Sequence, residues 1–279
     1  MTSSPTLTFN DGNTIPQLGY GVWQVEDDVA EKVVRQAFEA GFRHIDTAKI
    51  YGNESGVGRA IASSGLSAEE IFITTKLWNA DQGYESTLAA FEDSMDRLGL
   101  ETLDLYLIHW MQPKQDKYVD TWKALIELQK RGRVKSIGVS NFSIEGLQRL
   151  IDETGVVPAI HQVELHPFFN QSELRAFDAA LGILTQAWSP LGQGGELLEN
   201  ATIAEIAAKH HATPAQVVIA WHLAIGNVVI PKSVTESRIQ ENFAALSVKL
   251  DEADVEAING LDRGAEGRIG PDPAVSDFA

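Results

Sequence analysis

Four polar residues stand where the chain is otherwise apolar or about to turn. Asp46 lies late in His44-Ile45-Asp46-Thr47-Ala48, and Tyr51 follows in the next loop. Lys76 ends Ile71-Phe72-Ile73-Thr74-Thr75-Lys76, and His109 ends Leu103-Asp104-Leu105-Tyr106-Leu107-Ile108-His109. A lysine drawn out of water beside a carboxylate stays charged, because the opposite charge offsets desolvation. Such a pair can act on a third group. A tyrosine hydroxyl ordinarily titrates near 10. A neighbouring ammonium favours the phenolate, so Lys76 is expected to lower the pKa of Tyr51 and make it a general acid. A hydrogen bond from His109 to the oxygen that Tyr51 protonates would polarise and orient a carbonyl. Taken singly, each residue has an ordinary reading: a loop cap, a strand-end lysine, a half-buried histidine, a loop aromatic. Their shared placement at strand ends gives the set its weight.

The elements that must position them follow a repeating pattern. Apolar runs at 19–23, 44–48, 71–76, 103–109, 134–141, 159–164, 183–188 and 228–231 alternate with amphipathic stretches such as 29–40, 85–98, 119–130, 144–151 and 172–181. Runs apolar almost throughout suit strands buried on both faces of a parallel sheet. Eight of them favour an α/β (β/α)8 barrel over an open doubly wound sheet. In a barrel the C-terminal ends of the strands open on one face, so Asp46, Tyr51, Lys76 and His109 should converge there. Ser143 and Asp120 read as helix-start residues, and Thr213-Pro214 as a helix start with proline in the first turn. Runs 6–9 and 14–18 flank Asn10-Asp11-Gly12-Asn13 and predict an opening hairpin. Residues from about Asp262 to the end, rich in Gly, Pro and Asp, predict a loop laid on the surface. No linker or repeat divides the chain, so 1–279 reads as a single domain.

Length and charge narrow the partners. The chain has 279 residues, near the size of one barrel, and no cysteine, which excludes thiolate catalysis and Cys-based zinc sites. With 39 acidic and 22 basic residues its formal net charge is -17. That excess argues against nucleic acid and anionic membranes as partners, and requires a local basic cluster wherever an anion binds. Lys232 and Arg238 flank Ser233 just after the eighth apolar run, at a helix start where backbone N–H groups favour phosphate. No apolar stretch has signal-peptide or membrane-span character, so the cytoplasm is the expected location. His161, Glu164 and His166 could be drawn as a metal cluster, but 161 and 164 should face opposite sides of a strand, and no metal is expected.

Four segments carry a family resemblance: 41–54, with Gly41-Phe42-Arg43-His44-Ile45-Asp46-Thr47-Ala48-Lys49-Ile50-Tyr51-Gly52-Asn53-Glu54; then Leu103 to Trp110; then Ile137-Gly138-Val139-Ser140-Asn141-Phe142; then Ile230-Pro231-Lys232-Ser233. In these, over nearly its whole length, the chain resembles the aldo-keto reductases. Within them it is most similar to the bacterial 2,5-diketo-D-gluconic acid reductases, through Asn10 to Asn13, Leu18 to Val22 and Thr75 to Asn79. The resemblance implies a barrel that binds NADP(H) without a Rossmann domain, and no Gly-x-Gly-x-x-Gly follows a strand here. It implies reduction of aldehydes and ketones, including sugar-derived ketones such as 2,5-diketo-gluconate or 1,2-dicarbonyls. Asp46, Tyr51, Lys76 and His109 would be the catalytic tetrad, in a protein that works as a monomer on a small-molecule carbonyl.

The same resemblance implies cofactor contacts. Ser140, Asn141 and Gln162 would hold the nicotinamide carboxamide, and Trp188 would stack on the ring; read without the resemblance, Trp188 is a core aromatic. Ser189, Leu191 and Gln193 would line the pyrophosphate path. Pro231, Lys232, Ser233, Val234 and Arg238 would take the phosphate end, and Glu241 and Asn242 the adenine. Gly21, Trp23 and Asp46 complete the contact set. Trp23, Trp78 and Trp110, each after a different strand, would wall the substrate pocket above Tyr51 and His109. Two other readings remain open at this point: Lys76 as a Schiff-base nucleophile, and a cofactor-binding protein without catalysis.

Overall fold

Strands buried on both faces need cover on each, and a closed ring with helices outside supplies it. The computed structural model, which describes residues 3–278, has that arrangement. A hairpin of β1 (Thr6–Thr8) and β2 (Thr14–Pro16) comes first. Then follow β3 (Tyr20–Gly21), α1 (Asp27–Ala40), β4 (His44–Asp46), α2 (Glu54–Ser63), β5 (Phe72–Leu77) and α3 (Tyr84–Leu98). The middle of the chain forms β6 (Leu103–Ile108), α4 (Tyr118–Lys130), β7 (Val134–Ser140), α5 (Ile144–Thr154), β8 (Ile160–Glu164) and α6 (Ser172–Ala180). The last part forms β9 (Leu184–Trp188), α7 (Ala201–Lys209), α8 (Pro214–Ala224), β10 (Val228–Val229), α9 (Glu236–Ala244) and α10 (Glu252–Asn259).

From β3 to β10 each strand pairs in parallel with the next in sequence. Backbone hydrogen bonds then join the two ends of that row. Val229 N donates to Gln17 O at 2.9 Å, Gly19 N to Val229 O at 2.8 Å and Gly21 N to Pro231 O at 3.2 Å. Leu18 and Val229 are the bridged pair. The seam also explains a boundary. The predicted strand 14–18 stops at Pro16, because Gln17, while its N–H still bonds Pro5 O, turns its carbonyl to Val229, and Leu18 bridges to Val229 to close the barrel. Gly19 is required there: a Cβ would lie 2.4 Å from His44 Nδ1.

Alternation along the strands divides two cores. Tyr106, Ile108, Ile137 and Val139 cluster with helix residues Phe91, Trp122, Leu125 and Leu147 outside the ring. Leu105, Leu107, Ile160 and Val228 instead cluster with Phe9 and Ile15, so the hairpin plugs the end of the barrel away from the strand C-termini. Two helix starts are as the sequence suggests. Ser143 accepts from Gly146 N, and Thr213 and Gln216 form a reciprocal capping box. Asp120 does not cap α4; it lies in the first turn and pairs with Lys123, while Lys117 occupies the cap position. Among the described residues no helix is long and apolar enough to cross a membrane.

Candidate active site

β4 and β5 are neighbours with Asp46 opposite Thr74, so Lys76, two residues further, projects from the same face of the sheet as Asp46's neighbour and reaches across to it. Lys76 is fully buried, and its Nζ donates to Asp46 Oδ1 at 2.5 Å, Thr47 O at 2.8 Å and Tyr51 OH at 3.4 Å. Tyr51 ends a short 3-10 turn (Lys49–Tyr51) that Gly52 terminates in the left-handed region. Buried Asn53 holds that turn: it accepts from Thr47 Oγ1 at 2.7 Å and donates to Val22 O and Val25 O, both at 2.8 Å. His109 follows β6, with its ring edge-on to Tyr51 at 5.7 Å and to Trp78 at 5.3 Å between centroids. Among the described residues its buried Nδ1 has no partner. The four residues singled out in the sequence therefore meet in one cluster.

Burial and neighbouring groups together set their protonation. Burial pushes Lys76 down, but the carboxylate of Asp46 and the hydrogen bonds to Asp46 and Tyr51 outweigh it and hold the ammonium above its usual range. Burial raises Asp46, against the pull of Lys76 and Gln162. Tyr51 corrects the sequence expectation. Burial raises its hydroxyl above the ordinary value, and the ammonium of Lys76 only partly opposes this. At neutral pH Tyr51 thus keeps its proton. Burial, with Lys76 adding to it, holds His109 well below the usual imidazole range, so it is a neutral donor.

Beside this cluster lie the residues that the sequence resemblance assigns to the nicotinamide end. Gln162 Nε2 donates to Asp46 Oδ2 at 2.7 Å and to Gln186 Oε1 at 2.9 Å. Asn141 Nδ2 donates to His109 O and to Ser140 Oγ, both at 2.9 Å, and Asn141 Oδ1 accepts from Trp188 Nε1 at 2.8 Å. The amide of Asn141 thus stitches together the ends of three strands. Asn141, Ser189 and Gln193 all take left-handed backbone conformations, at φ 55, 47 and 57°. Such non-glycine strain tends to gather at functional sites. Leu191 is half-buried in the same loop, between Ser189 and the exposed Gln193.

The segment after β10 is different. Pro231 is buried, while Lys232, Val234 and Arg238 are exposed. The hydroxyl of Tyr20 donates to Ser233 O and pins the segment to β3, beside Gly21. Among the described residues neither Lys232 nor Arg238 has an ion-pair partner. Thr235 at the start of α9 makes no side-chain cap bond. Open helix N–H groups with two free cations suit a phosphate, so the donor set fits the anionic end of a dinucleotide. Glu241 accepts from Thr213 Oγ1 at 2.6 Å, and Asn242 is buried.

At the mouth Trp23 is 43 % exposed and Trp110 only 8 %. Over Trp110 and Trp78 lies the tail that the sequence marked only as a surface loop. The tail after α10 is held from Asp262 and Arg263 onward, the latter donating its N–H to Phe168 O at 2.9 Å, and two of its docking points lie beside the site. Glu164 accepts Ile269 N at 2.5 Å and Gly270 N at 2.7 Å, and His166 Nε2 lies 3.1 Å from the same carboxylate. Asn79 Nδ2 donates to Phe278 O at 2.8 Å, and the Phe278 ring packs 5.0 Å from Trp110 and 6.1 Å from Trp78. A buried strand-end glutamate and a lone aromatic in a polar tail were the available signals. His161 and His166, set aside as metal ligands, are engaged separately: His161 with Asp178, and His166 with Glu164.

Comparison with known proteins places this geometry. A model of the Aldo/keto reductase family matches residues 16–263. An aldo-keto reductase of Mycolicibacterium smegmatis is 55% identical over 275 residues, 99% of each chain. The methylglyoxal reductase DkgA of Salmonella typhimurium is 52% identical over 273 residues, covering 97% of this chain and 98% of that one. The crystal structure of a Gox0644 variant in complex with NADPH superposes with a TM-score of 0.95 at 50% identity, covering 99% of this chain and 100% of the other.

Proposed function

The chain belongs to the aldo/keto reductase family, and on that premise we propose that it is an NADPH-dependent reductase of small carbonyl compounds with Tyr51 as the general acid. The observation that carries this reading is the buried lysine bonded at once to Asp46 and Tyr51, with neutral His109 beside the tyrosine ring. The chemistry that NADPH brings when bound is a hydride for the carbonyl carbon. The chain's own residues supply the rest. His109 donates a hydrogen bond that orients the carbonyl oxygen. Tyr51 gives that oxygen its proton, and Lys76, held by Asp46, stabilises the phenolate left behind. Trp23, Trp78, Trp110 and Phe278 exclude water around the reacting group. Ser140, Asn141 and Gln162 would hold the nicotinamide end, with Trp188 against it. Ser189, Leu191 and Gln193 would follow the pyrophosphate. Lys232, Ser233 and Arg238 would hold the phosphate of the adenosine end, with Glu241 and Asn242 beyond.

A Schiff-base role for Lys76 is disfavoured, because a nucleophilic amine must be neutral and this one is held charged. For substrate, the relative named as a methylglyoxal reductase supports small 1,2-dicarbonyls, with sugar-derived diketones such as 2,5-diketo-gluconate as the second group. The test is NADPH absorbance followed with methylglyoxal, 2,5-diketo-gluconate and simple aldehydes, each repeated with NADH. Turnover of 1,2-dicarbonyls with NADPH is expected. No oxidation of NADPH by any carbonyl in the panel would reject the assignment.

A further inference from the structure

Asn141 carries three side-chain hydrogen bonds, and its backbone sits in the left-handed region at φ 55°, which asparagine enters more readily than other side-chain-bearing residues. Backbone hydrogen bonds fix the turn there. Two bonds are ordinary: Asn141 N donates to Gln162 O at 2.9 Å, and Asn141 O accepts from Met111 N at 3.2 Å. The next amide, Phe142 N, is unusual. It donates at 3.3 Å to Nε2 of His161, a fully buried ring on β8.

The partners of His161 fix its chemical form. Its Nδ1 lies 3.2 Å from Asp178 Oδ1 on α6, and both side chains are fully buried. A carboxylate oxygen can only accept, so Nδ1 carries the proton. A backbone N–H can only donate, so Nε2 must keep its lone pair. The ring is therefore a neutral imidazole of one tautomer. Asp178 is itself steadied by Thr185 Oγ1, which donates to its other oxygen at 2.9 Å. Because side chains alternate along β8, Gln162 points into the barrel toward Asp46, while His161 points outward to Asp178. One strand thus supports the site from both sides.

We propose that His161, oriented by Asp178, is a positioning residue that sets the turn at Asn141 and so the side chain facing the nicotinamide end. The inference rests on the reductase reading given above. His161 acts through Asn141, so its loss disturbs alignment far more than affinity, which comes mainly from the phosphate contacts.

The test compares His161→Leu, which removes the acceptor, with His161→Gln, which can restore one. In His161→Leu, kcat for methylglyoxal is expected to fall about tenfold to a hundredfold, as misalignment at a reacting centre commonly does. The NADPH dissociation constant, measured by fluorescence quenching, is expected to change by no more than about threefold, since the charged contacts dominate it. His161→Gln should recover most of the lost kcat. A folded His161→Leu protein with wild-type kcat, or a loss that Gln does not recover, would overturn the proposal. If the leucine variant does not fold, the unmodified enzyme decides: 15N spectra of His161 must show a protonated Nδ1 and an unprotonated, hydrogen-bonded Nε2. The opposite tautomer would overturn it. An inactive wild-type enzyme would instead reject the reductase reading, and the tautomer would still be read.

Discussion

Two groups of charged residues sit at the same end of the barrel and are held in opposite ways. Asp46 and Lys76 are buried, bonded to each other and to Thr47 and Tyr51. Lys232 and Arg238 are exposed and have no ion-pair partner among the described residues. The first group has spent its charge internally; what it retains is control over a proton on Tyr51. The second keeps its charge available, on a chain whose net charge of -17 repels anions at distance. Short-range, charge-assisted contacts must therefore carry anion binding there. The difference separates chemistry from capture, and substitutions should damage one without the other.

The largest effect is expected from Tyr51→Phe. Loss of a general acid typically lowers rate by about a hundredfold to ten-thousandfold, and the NADPH dissociation constant should hardly move. Steady-state turnover beside a cofactor titration decides it; turnover within a few-fold of wild type would break the division. Lys76→Met should damage both rate and stability, since it strands the buried carboxylate of Asp46. Breaking a buried pair in this way commonly costs about 3–5 kcal/mol, which a denaturant titration would register. A variant as stable as wild type would mean that Asp46 is satisfied without the lysine.

Arg238→Ala tests the other group. The NADPH dissociation constant should rise roughly tenfold to a hundredfold, with little change for NADH, which lacks the 2′-phosphate. The preference for NADPH should also weaken as salt rises, because the site is exposed. Equal losses for both cofactors would show that Arg238 does not read the phosphate. The smallest change is expected in the neutral pH range. Tyr51 must be protonated to act, and its pKa is raised, so the rate of reduction should hold through neutrality and fall only above about 10. His109 is held far below 6.5, so no inflection should occur there. A pH–rate profile falling between 6 and 8 would contradict both directions.

Much of this was legible in the order of residues. Eight apolar runs between amphipathic stretches gave the ring, because burial on both faces is written locally into each strand. Asp46, Lys76 and His109 were visible because each breaks such a run. The seam was not visible: whether Gln17 pairs with Pro5 or with Val229 depends on closure between segments two hundred residues apart, and it does both. The sign of the shift on Tyr51 was not visible either, because neighbouring charge can be guessed from spacing while depth of burial cannot. The partners of Glu164 and His161, at 269–270 and 178, were not legible at all, since they lie on elements that only folding brings near.

The docked tail has a consequence for how such an enzyme can change over generations. Between its anchors at Glu164 and Asn79 the tail bridges two sides of the rim and brings Phe278 against Trp78 and Trp110. It contributes none of the four residues that handle the proton and no strand of the ring. Many of its residues are exposed and weakly constrained, apart from Gly270, where a Cβ would lie 2.6 Å from Trp188, while an exchange at Phe278 acts directly on the mouth. Selection for a new carbonyl can act on a dozen terminal residues and leave the inherited proton machinery untouched. Grafting residues 268–278 from a relative should shift relative kcat/KM among carbonyls more than it shifts thermal stability; the reverse outcome would make the tail a brace and not a selector.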